Sequence, residues 1–140
     1  MIEKHGWKVF VVIGALGTFM SLAMLVEPSL GLNMFGGLGP AVPAAFAADP
    51  FAPFLVRWVG TTLLGGNVIT VFVAMTAFRR GERWAGYAFL YWPAMFLSHL
   101  VLYKLGPMSL VQLMWLSLTI PVLLVHFRRG DGSALAAATA

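Results

Sequence analysis

Five polar side chains fall where a hydrocarbon surrounding would make each of them costly: Glu27, Arg57, His99, Tyr103 and Gln112. Their types suit acid–base and anion chemistry. Glu27 and His99 are the candidate catalytic groups, each able to give or take a proton. Arg57 can clamp an anion or pair with Glu27. Tyr103 follows His99 at i+4, on the same helical face. Gln112 can both donate and accept a hydrogen bond. A plainer reading stands beside each: Arg57 snorkels to headgroups, Glu27 is solvated, and His99 makes one bond between helices.

Asn67 follows Gly65 and Gly66 in the middle of an apolar run, where an amide needs a partner. Gly66, Thr70 and Ala74 form one ridge of small residues, and Gly14, Gly17 and Ser21 form another. Packing of the two ridges would absorb Asn67; contact with a ligand is the other reading. Trp92 and Trp115, with Tyr87, Tyr91 and Phe96, could wall a pocket for a flat apolar molecule or simply pack. The ligand-binding candidates are therefore Arg57, Asn67, Trp92, Tyr103, Gln112 and Trp115.

Composition says where such residues must sit. The chain has 140 residues, 60% apolar and 10% charged, against about 45–50% and about 25% in soluble domains. So few charges cannot cover a soluble surface. The net charge of +4 would suit nucleic acid in a soluble protein. Here the basic residues lie at the ends of apolar runs, so no nucleic-acid partner is expected. No cysteine is present, which removes disulfides, thiolate metal sites and iron–sulfur clusters. Haem held by two histidines needs both at one depth, yet His99 falls near one membrane face and His5 and His126 near the other. No metal and no cofactor is expected.

Four segments are long enough to cross about 30 Å of hydrocarbon. They run from Trp7 to Val26, Phe54 to Phe78, Trp84 to Tyr103 and Met108 to Phe127. The reading is all-α: one membrane domain, an antiparallel bundle of four transmembrane helices. Lys4, Lys8, Arg79, Arg80, Arg83, Arg128 and Arg129 fall on one side, and only Arg57 and Lys104 on the other. That bias puts both termini in the cytoplasm of a cell whose inner membrane holds the protein. The first run is longer than a signal-peptide core and is read as a retained span. The connection 27–53 is long, holds five prolines and stays apolar, so it is expected to cover the outer mouth of the bundle or lie in the interface. Residues 130–140 read as a flexible tail.

The Pro28-containing outer loop, the Arg57-x-x-Gly60 start of the second span and the inner turn Arg79-Arg80-Gly81-Glu82-Arg83-Trp84 carry a resemblance. The organisation resembles the small bacterial four-helix membrane families called DoxX-like. The resemblance implies a four-helix fold. Some such families are linked to quinone-side redox complexes.

Three function classes follow. The first is a module without catalysis that binds an apolar small molecule, a lipid or a quinone, or serves as an accessory subunit or homo-oligomer in a membrane complex. The second is an enzyme that isomerises or cyclises a terpenoid or other lipid, with Glu27 or His99 as the acid. The third is a small transporter. Glu27, Arg57 and His99 are expected to converge under the first loop.

Overall fold

The computed structural model describes residues 2–31, 33, 42–102 and 107–138. All regular structure among them is helical. Tyr103, Lys104 and most of the segment 32–41 lie outside the described residues.

The first long helix, α1, spans Trp7–Val26, the bounds the sequence predicts. It holds no acid, and its one base, Lys8, lies in its first turn. Glu27 ends it in an extended conformation, φ −133° and ψ 90°, because a residue before proline is pushed out of the helical region. The second, α2, spans Ala52–Val73, two residues earlier than expected, with proline in its first turn. It runs on into a π-helical segment, Ala74–Phe78. The chain then turns at Gly81, whose φ of 83° suits glycine. The Glu82 N–H donates to the Ala77 carbonyl and the Gly81 N–H to the Phe78 carbonyl, each at 3.0 Å. These two bonds satisfy the orphan carbonyls of the helix end.

The third predicted span is interrupted. It forms α3, Arg83–Phe89, and α4, Tyr91–Leu102, with a turn at Leu90. Pro93 explains the break, since it offers no N–H to the Phe89 carbonyl one turn back. The last helix, α5, spans Pro107–Ala138 and so continues past Phe127, through the stretch read as a tail.

Helices α1 and α2 pack through small residues. A methyl on Gly14 would come within 2.8 Å of the Asn67 carbonyl, and one on Gly60 within 3.0 Å of the Ser21 carbonyl. Gly66 does not belong to this seam, as the predicted ridge had it. Gly65 and Gly66 both face open space, with nothing within 4 Å. One residue turns a helix by about 100°, so Asn67 can face α1 while the glycines before it face away.

The two helical pairs meet at one end, in an aromatic knot. Phe10 of α1 is fully buried. Its ring lies 5.1 Å from Phe78 of the π segment and 4.3 Å from Phe89 of α3. Phe78 in turn stacks on His126 of α5 at 3.9 Å. Trp7 and Arg79 also touch at this end, so α1 and α2 are antiparallel.

Outward faces are apolar: Phe19 is 71% exposed and Phe72 67%. Water would penalise such faces; hydrocarbon does not. Three helices are long and apolar enough to cross a membrane: Trp7–Val26, Ala52–Phe78 and Ser109–Arg128.

Candidate functional site

The candidate residues sort into three places. Asn67 lies in the α1–α2 seam. Its Nδ2 donates to Ser21 Oγ at 3.3 Å, and Ser21 Oγ donates to the Gly17 carbonyl at 2.7 Å. Gly17 leaves the room: any Cβ there would collide with the Asn67 amide. The mid-membrane amide thus has the partner that its surroundings demand, supplied by a serine one helix away.

With inner denoting the end of the bundle that holds the aromatic knot and outer the opposite end, Arg57 and Glu27 come together at the outer end, but not as an ion pair. Arg57 Nε donates to the Leu25 carbonyl at 3.2 Å. That carbonyl is one of the last four of α1, which have no partner within the helix. A cation there also opposes the negative end of the helix dipole. The guanidinium therefore caps α1 from the start of α2. Glu27 is exposed and accepts from the Ser29 backbone N–H at 3.3 Å. The Ser29 hydroxyl, then the Ser29 N–H, and lastly the Arg57 charge, hold its carboxyl below the ordinary value. Of the three residues expected to converge, Arg57 and Glu27 are neighbours, with the guanidinium on a main-chain carbonyl and the carboxylate on Ser29.

The third place lies between α4 and α5. Their pairing is fixed by rings: Phe96 stacks on Trp115 at 6.4 Å and 18°. Nearer the inner end, Tyr87 meets Phe127 at 5.1 Å. One step outward from the Phe96–Trp115 contact, three residues on along α4 and three back along α5, this antiparallel register sets His99 level with Gln112. Gln112 is 6% exposed, and its Oε1 atom is buried without a hydrogen-bond partner. Ser109, one turn further out, is buried too, and so is the Nδ1 nitrogen of His99. Trp92 packs its ring 5.8 Å from Phe96 and is buried. Trp115 is half-buried. Trp92, Phe96 and Trp115 thus make an aromatic floor beneath a level of polar groups. Tyr103, the remaining candidate, lies outside the described residues.

No family model, curated protein or solved structure matches this chain.

His126 is a polar group that the sequence reading considered only for haem. It is 6% exposed. Its Nε2 lies 3.1 Å from the Glu82 carbonyl. A carbonyl only accepts, so Nε2 carries the proton. Gly86 makes the space, since a Cβ there would lie 2.7 Å from the His126 ring. The signal in sequence was this glycine, one turn into α3 and opposite an imidazole. Nothing in the spacing reveals that pairing before the register of α3 and α5 is known. Among the described residues, no three His, Asp or Glu side chains gather closely enough to hold a metal ion.

Proposed function

We propose that the protein binds a lipid-soluble molecule with a polar head at the outer end of the α4–α5 pair, without catalysis. The observation that carries this is Gln112. A buried amide oxygen without a partner costs about 1–3 kcal/mol, and a ligand hydroxyl or N–H would remove that cost. The rings of Trp92, Phe96 and Trp115 would hold the apolar body, and His99 and Ser109 line the same level. In this reading the chain is an inner-membrane protein with four crossings, α3 and α4 together forming the third, and both termini are cytoplasmic. That is the organisation of the DoxX-like resemblance. The alternative of an isomerase or cyclase, with Glu27 or His99 as the acid, draws less support, since Glu27 is exposed and accepts from the Ser29 N–H. A second reading, an accessory subunit, draws on Gly65 and Gly66, which open a close-approach surface toward lipid.

The test is extraction and mass spectrometry of small molecules carried by the purified protein, for the wild type and Gln112→Leu. The expected result is a stoichiometric apolar molecule with a hydroxyl, amine or amide group, reduced about tenfold or more in the variant. A variant that is more stable, from a wild type that carries nothing but bulk lipid, would refute the reading.

A further inference from the structure

A second polar centre lies at the opposite end, and its charges do not balance. Trp7 opens α1 and is half-buried. Two cations sit over its ring: the Arg79 guanidinium 5.2 Å from the centroid and the Lys8 ammonium 5.9 Å from it. Both side chains are exposed, and among the described residues neither pairs with a carboxylate. Glu82 is the acid of the adjoining turn, and it is already engaged. Its Oε1 pairs with Arg80 at 2.8 Å, its Oε2 accepts from the Trp84 indole N–H at 2.6 Å, and its carbonyl faces His126. Two like charges are therefore held around one ring, and among the described side chains no carboxylate meets either of them.

The surroundings specify the missing anion. Trp7 begins a helix long and apolar enough to cross a membrane, and tryptophan at such a boundary lies at headgroup depth. The negative groups at that depth are lipid phosphates. We propose that Lys8, Trp7 and Arg79 form a seat for the phosphate of an anionic phospholipid. The Arg79 fork takes two phosphate oxygens, Lys8 supplies a second charge, and the Trp7 ring holds both cations in place. The acyl chains then run along the apolar outward faces. The site is independent of the α4–α5 reading: it lies at the other end of the bundle and concerns structural lipid.

The experiment is native mass spectrometry of the protein released from vesicles of mixed phosphatidylglycerol and phosphatidylcholine. The wild type is expected to retain phosphatidylglycerol preferentially. Retention should fall about fivefold for each cation removed in Lys8→Gln and Arg79→Gln. The comparison variant Lys4→Gln/Arg128→Gln loses the same charge from the same end and should retain lipid as the wild type does. An equal fall in both double variants would mean bulk attraction and overturn the seat. So would displacement of the lipid by millimolar inorganic phosphate, which would mean a site for the free ion. If Lys8→Gln/Arg79→Gln fails to assemble, Lys8→Gln alone carries the test, with the single fivefold loss expected and no loss overturning the proposal.

Discussion

The two ends of the bundle handle polar groups in opposite ways. At the inner end, His126 stacks on Phe78, faces the Glu82 carbonyl and fills the space Gly86 leaves. At the outer end, Gln112 is as well buried, yet its amide oxygen has no partner. Equal burial with unequal satisfaction is the informative contrast. A polar group packed by rings and bonded through its ring nitrogen holds elements together. A polar group left wanting at the same depth is where another molecule can bring the missing bond. The inner end ties α1, the π segment, α3 and α5 into one knot.

The contrast can be broken most severely at Gly86. Gly86→Ala drives a methyl against the His126 ring and the Phe127 ring, and should cost about 1–3 kcal/mol, read as a fall in melting temperature in detergent. No change would mean that the inner knot does not set stability. Arg57→Ala should cost about 1 kcal/mol, because the Leu25 carbonyl loses its donor. Its ligand content should be normal, since Arg57 caps a helix through the Leu25 carbonyl. Loss of ligand at unchanged stability would return Arg57 to the binding site. Gly66→Ala is expected to act in the other direction, stabilising by up to about 1 kcal/mol, because nothing lies within 4 Å of the added methyl. If it disrupts a larger assembly in cells instead, the accessory-subunit reading gains over simple exposure to lipid.

The smallest effect belongs to Glu27. Its carboxyl is held below the ordinary value by Ser29 and then Arg57. Stability from this group is present above the ordinary carboxylate range and is lost as pH falls through the lowered value. The side chain is exposed, so the change should be slight. Melting curves at neutral pH and near pH 3 should differ a little less in Glu27→Gln than in the wild type. A large difference between the two proteins would show that Glu27 has a closer partner than Ser29.

Much of this was legible from residue types alone. The bounds of α1 follow from an apolar run closed by Glu27 and Pro28. The need of Asn67 for a neighbour follows from its depth. What the sequence could not carry is azimuth. Gly65, Gly66 and Asn67 are adjacent in the chain but point about 100° apart in turn, so the ridge drawn through Gly66, Thr70 and Ala74 has two buried members while Gly66 itself faces open space. Depth likewise brought Arg57 and Glu27 to one level. It could not say that a main-chain oxygen would hold the guanidinium, since every helix end offers carbonyls and the sequence marks none of them. The π segment at 74–78 and the break at Leu90 change which residues face inward, and periodicity assumes neither.

The bond between Asn67 and Ser21 has a consequence for how the chain is made. Synthesis delivers α1 before α2, and N-terminal parts organise first. When α2 leaves the insertion machinery, its amide meets either acyl chains or the serine already waiting in α1. The second is favoured in hydrocarbon. The expected consequence is that α2 pairs with α1 as it enters the bilayer, so that α1 escorts its successor.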